Sequence, residues 1–195
     1  MASKIKVDQI QTADGTGTIA LQNQLSGVTY SSLPVGSVVQ VTEGSYSDYA
    51  SISSETSYVD TGLSGTITPK YSNSKILITV SFGRIGTTAS GGDLGCSIKL
   101  LRNNTDSDLN GLAAGSRPRG LFNAGGLSHN TSHSIGGQGM TGFDSPNTTS
   151  QVTYKCQVKV QDSNYPCQIN GGGASDGNQY SARTKAFIVM MEIKQ

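Results

Sequence analysis

The chain has 195 residues, a net charge of +1, and charged side chains at only 14% of the total. That length holds one ordinary domain plus an extension, and the near-neutral balance lacks the basic footprint of a nucleic-acid or membrane-surface binder. Glycine is abundant at 25 residues, tryptophan is absent and helix formers are scarce, so an all-β chain is expected rather than a helical one.

The first element spans Ser3 to Leu25. It reads as a short strand (Ile5, Val7, Ile10), a turn at Asp14-Gly15-Thr16-Gly17 and a second strand (Ile19, Leu21). An isolated two-stranded hairpin is marginal in water, and five aliphatic side chains bury too little surface to offset the entropy of ordering it. The segment is therefore either disordered or packed against other chains, and its amphipathic pattern favours packing. Ile5, Val7, Ile10, Ile19 and Leu21 are the candidate trimerisation and attachment residues. A small polar connector ends at Leu33-Pro34, which places a boundary between an attachment segment, 1–33, and a main domain, 34–195.

Strand signals follow. Gly36–Val41 is a first strand, and Tyr46–Ser57 is a polar loop or edge strand. Tyr58–Thr68 alternates, and Pro69–Ser74 is a turn cluster. Lys75–Phe82 is the clearest strand, with Ile76, Ile78, Val80 and Phe82 pointing one way. Cys96–Arg102 puts Ile98 and Leu100 inward and closes on an Asn103-Asn104-Thr105 turn. Leu109–Pro146 is glycine-rich and too long for a simple loop in a compact domain, so part of it is expected as short strands such as Arg119–Phe122 and the rest as a candidate functional loop. Gln151–Val160 alternates almost perfectly, with Val152, Tyr154, Cys156, Val158 and Val160 inward. Pro166–Asn170 is short, Gly171–Tyr180 is another loop, and Thr184–Ile193 is apolar on both faces, as expected mid-sheet or at an intersubunit contact. About eight strands at this spacing predict an antiparallel β-sandwich of the jelly-roll kind, a C-terminal knob behind the N-terminal hairpin.

Two places carry a resemblance. The opening KIKVDQIQTADGTGTIAL runs lysine, valine, aspartate, any residue, isoleucine over Lys6–Ile10 and then reaches its glycine turn. The second place is Ser97–Arg102 with its Asn-Asn-Thr turn, Val152–Val158 and the closing Ala186–Ile193. Together they resemble the small fibre-type virion proteins of tailed bacteriophages, especially those of marine and cyanobacterial hosts. The resemblance implies a homotrimer, an N-terminal joint to other virion proteins, and a distal β-sandwich that touches the host surface. It supplies no catalytic motif, and the stretch Leu109–Pro146 lies outside it.

His129 and His133 have a spacing that suits zinc on a helix, but paired glycines flank them and no third ligand is near, so no metal is expected. Asp60, Asp106 and Asp108 lie in or beside turns, where aspartate bonds its own backbone. No nucleophile elbow or phosphate loop is present. The chain is therefore expected not to be an enzyme and to need no cofactor. Cys96, Cys156 and Cys167 lack metal-ligand spacing and are expected mainly as plain thiols, with one opportunistic disulfide as the alternative. Between Asp108 and Asp144 there is no acidic residue, while Arg117, Arg119 and both histidines are present. With Phe122 these form the candidate receptor-binding loop: Arg117, Arg119, Phe122, His129 and His133, suited to an acidic glycan.

The expectation is a trimeric phage tail fibre, made in the host cytoplasm without a signal peptide and carried on the virion. Its partners would be its own copies, other virion proteins and a host-surface glycan, with no nucleic acid and no membrane insertion. A head decoration protein anchored by the same segment is one alternative. A cellular carbohydrate-binding module or glycan hydrolase is another.

Overall fold

Eleven strands are found in a computed structural model that describes residues 29–87, 95–124, 134–171 and 182–195. The chain divides between Leu33 and Pro34 into two units. Of the first, Thr29–Leu33 is described. It holds one 3₁₀ turn, Tyr30–Ser32, where the Ser32 hydroxyl bonds both the N–H and the carbonyl of Thr29. The hairpin expected over 3–25, with Ile5, Val7, Ile10, Ile19 and Leu21, lies outside the described residues.

The second unit contains β1 (Val38–Tyr46), β2 (Ala50–Ile52), β3 (Val59–Ile67), β4 (Lys75–Thr87), β5 (Cys96–Arg102), β6 (Thr105–Asp106), β7 (Phe122–Ala124), β8 (Ser134–Asp144), β9 (Val152–Val160), β10 (Cys167–Ile169) and β11 (Ala186–Ile193). Every strand pairing is antiparallel. The first sheet runs β1-β11-β4-β8, and β10 and then β2 continue alongside the far end of β4 beyond β11. The second runs β3-β9-β5-β7, with β6 folded back on β5. Taken in chain order, the eight principal strands fall to the first, second, first, second, second, first, second and first sheets. That order is the jelly roll, two interleaved Greek keys.

Alternation creates the core. Ile76, Ile78, Val80 and Phe82 of β4 face Val152, Tyr154, Cys156, Val158 and Val160 of β9, with Leu63, Ile98, Leu100, Ile188 and Met190 between them, all essentially inaccessible to water. The β5–β6 connection is a tight turn in which both Asn103 and Asn104 take positive φ, 48° and 68°. That is the mirror-image turn which matches strand twist, and asparagine tolerates it. The Asn103 side chain also accepts the backbone N–H of Thr153 at 2.9 Å, tying the turn to β9.

The stretch 109–146 departs from expectation. Its principal element is β8, eleven residues long, paired with β4 from Ile76 to Thr87. The short strand expected at Arg119–Phe122 instead begins at Phe122. Glycine has no side chain to alternate, so β8 leaves no periodic trace. Gly139 is nonetheless required by close approach, since a Cβ there would stand 2.5 Å from the Val80 carbonyl oxygen, while one on Gly142 would displace only the tip of the Leu109 side chain.

Candidate functional site

The two sheets present opposite outer faces. On the second sheet that face is polar. Asp60 of β3 accepts Lys155 at 3.0 Å and Gln157 at 2.6 Å from β9. Its carboxyl is held below the usual range, first by the Gln157 hydrogen bond and then, against some desolvation, by Lys155. On β5, Lys99 pairs with Asp106 at 3.0 Å and lies 4.5 Å from the centre of the Tyr58 ring. Charges paired on an exposed sheet keep it solvated and specify little by themselves.

The outer face of the first sheet carries one apolar row among mixed ones. Val41 pairs with Met191, Met191 with Leu77 and Leu77 with Phe143, so one continuous row crosses all four principal strands. Val41 and Phe143, at its two ends, are 55% and 54% exposed. The next row, Glu43, Val189, Thr79 and Thr141, is mixed, and its Thr79 and Thr141 hydroxyls share a hydrogen bond of 3.0 Å. Phe187 on the same face lies beneath Lys185, and Val38 pairs with Ile193 at the margin. A one-sided antiparallel sheet ordinarily turns polar residues to water.

The predicted receptor loop is only partly assembled. Arg117 is exposed, in a small turn where its N–H bonds the Ala114 carbonyl. Arg119 donates from Nε to the Gly111 carbonyl at 2.8 Å and approaches Asp106 at 3.9 Å, while its own carbonyl accepts the Tyr58 hydroxyl. Arg119 thus adjoins Lys99, Asp106 and Tyr58 in one polar cluster at the β5 edge. Phe122 does not join it: its ring packs edge-to-face on Phe82 at 6.1 Å and against the core. His129 and His133 lie outside the described residues.

Two buried carboxylates escaped the sequence reading. Both Asp144 of β8 and Glu192 of β11 pair with Ile76, one on either side of β4, and both are inaccessible to water. Asp144 receives Arg102 Nη1 at 2.9 and 2.8 Å and the Tyr154 hydroxyl at 2.6 Å. Burial works against the Arg102 charge, yet the Asp144 carboxylate more than offsets this and raises its pKa. The Tyr154 hydroxyl is pushed far above its ordinary range by burial and by its bond to Asp144. Glu192 accepts the backbone N–H groups of Lys70 and Tyr71 and the Ser74 hydroxyl on one oxygen, and Gln40 Nε2 at 2.6 Å on the other. Desolvation pushes its pKa up, but these four hydrogen bonds win and hold it below the usual carboxylate range. Carboxylates so fully occupied by donors act as anchors for the turns around them. No spacing rule could find them, because the donors to Glu192 lie 118 or more residues away in sequence.

Among the described residues no group of three or more His, Cys, Asp or Glu is placed to hold a metal ion. Nor is any helix among them long and apolar enough to cross a membrane. No protein-family model matches the chain, and no curated protein matches it either.

Proposed function

We propose that this chain is a structural component of a phage virion, a trimeric tail fibre anchored through its N-terminal segment and presenting the jelly-roll unit to the host surface. The observation that carries the proposal is the contrast between the two outer faces, above all the apolar row Val41, Met191, Leu77 and Phe143, exposed at its two ends. In a trimer the face carrying that row is turned toward the neighbouring copies and the polar face outward. The outward face then offers Arg119 to an acidic glycan; Lys99 beside it is paired with Asp106 at 3.0 Å and lies over the Tyr58 ring, so a carboxylated or sulfated sugar competes with Asp106 for both cations. The resemblance of the opening segment to fibre-type virion proteins supports the same reading.

Native mass spectrometry at micromolar concentration should give a single species of three chains. Purified protein added before the particles should also reduce adsorption to host cells in a dose-dependent way. A monomer at that concentration, with adsorption unaffected, would remove the proposal.

A further inference from the structure

The described residues contain three cysteines, all with free thiols and all buried. Two of them meet. Cys96 opens β5 in the second sheet, and Cys167 opens β10 in the first. Their sulfur atoms are 2.7 Å apart, in a core where both side chains are at most 1% exposed. The Cys96 thiol is also within 3.4 Å of the Ala124 carbonyl of β7. Each cysteine is fixed from two sides by its ladder, Cys96 by Val160 and Ala124 and Cys167 by Ile52 and Thr87. Little backbone movement is needed to bring the sulfurs to the disulfide bond length of about 2.05 Å.

We infer that Cys96 and Cys167 are a latent disulfide, open when the chain folds in a reducing compartment and closed in an oxidising one, where it staples the two sheets together. The reaction is a thiol–disulfide exchange with a small disulfide such as oxidised glutathione. One cysteine sulfur bonds to a glutathione sulfur and expels the other glutathione as a thiol. The second cysteine sulfur then displaces the remaining glutathione, so that two protein thiols are oxidised and one small disulfide is reduced to two thiols. The neighbouring Cys96 sulfur and burial both favour the neutral form of Cys167, and thiolate is the attacking species, so closure in the folded protein is slow and follows local opening. Cys156, also buried, has its thiol pushed up to about 12 by desolvation and serves as the internal control. The geometry stands independently of the proposed role on the virion.

The test uses the full-length protein purified with reductant. One portion is held folded in a glutathione redox couple. Another is unfolded and refolded in the same couple, so that access to the buried sulfurs does not limit the outcome. Both are quenched in acid, alkylated in denaturant, weighed intact and mapped by peptide. Disulfide closure is expected in the refolded portion, with a mass two hydrogens lower and a Cys96–Cys167 linked peptide. Closing a loop between residues 71 apart should raise the melting temperature by on the order of 10 °C, reversibly with dithiothreitol. Cys156→Ser should keep that shift, while Cys96→Ser and Cys167→Ser should lose it. Three alkylated thiols after both treatments, or a bridge that uses Cys156 or joins two chains, would overturn the inference. Mapping the wild-type chain decides the matter even if a serine variant fails to fold.

Discussion

Glu192 shows how much a single side chain organises here. Its carboxylate is inaccessible to water, yet it holds the turn at Lys70, Tyr71 and Ser74 and the side chain of Gln40 at once. Glu192→Gln keeps the shape but turns one acceptor into a donor facing other donors. Hydrogen bonds to a charged group contribute about 1.5–3 kcal/mol, so a loss of that order in unfolding free energy at pH 7 is expected, measured by urea denaturation. The pH dependence follows from the depressed pKa. Stability from Glu192 is complete above its unfolded value of 4.5 and is lost as pH falls through the lower folded value. The wild type should therefore weaken more steeply than Glu192→Gln below about pH 4.5. Equal slopes for the two proteins would show that the carboxylate is not the titrating anchor. A segment apolar on both faces gives no inward register, and the partners of Glu192 come from a distant turn, so neither its burial nor its purpose was legible in the sequence.

At the scale of elements, glycine decides where sheets can approach. Gly44 of β1 lies directly against the Ser64 carbonyl of β3, and a Cβ on Gly65 would stand 2.6 Å from the Met190 methyl group. The corner between β1 and β3 is thus closed backbone to backbone at Gly44, while a methyl group on Gly65 would meet the movable Met190 side chain. Gly44→Ala forces the two strands apart and should cost about 2–3 kcal/mol, at the upper end for overpacking. Gly36, by contrast, has φ +87° with open space around it, so Gly36→Ala should cost only about 1–2 kcal/mol through backbone conformation. Comparing the two midpoints in guanidinium separates crowding from strain, and equal losses would refute the close-approach account. The same chemistry limited what the sequence disclosed. β9 was legible residue by residue because large and polar side chains alternate in it. β8, which forms the edge of the first sheet, has glycine at four of eleven positions and reads as loop. Phe122 stands near glycines and reads as part of a loop, because its core neighbour Phe82 lies 40 residues earlier in the chain.

At the scale of the whole molecule, the remaining question is what the outer face of the first sheet meets. The sandwich interior is already filled by the inward side chains, so the outer row Val41, Met191, Leu77 and Phe143 adds nothing to its own fold that water contact does not weaken. Thr184–Ile193 was read from sequence as apolar on both faces, and β11 does lie mid-sheet with Phe187, Val189, Met191 and Ile193 on the outer side. If that face joins copies of the chain, Val41→Asp with Phe143→Asp should disrupt assembly while leaving the monomer folded. Burying one large aliphatic or aromatic side chain contributes about 1.5–3 kcal/mol, so two replacements should weaken association by at least about 100-fold. Lys155→Asp on the polar face of the second sheet serves as the comparison and should leave the oligomer intact. Sedimentation velocity reads the oligomer and thermal melting at low concentration reads the fold. An unchanged oligomer in the double variant would assign assembly to another surface, and dissociation by Lys155→Asp instead would reverse the roles of the two faces.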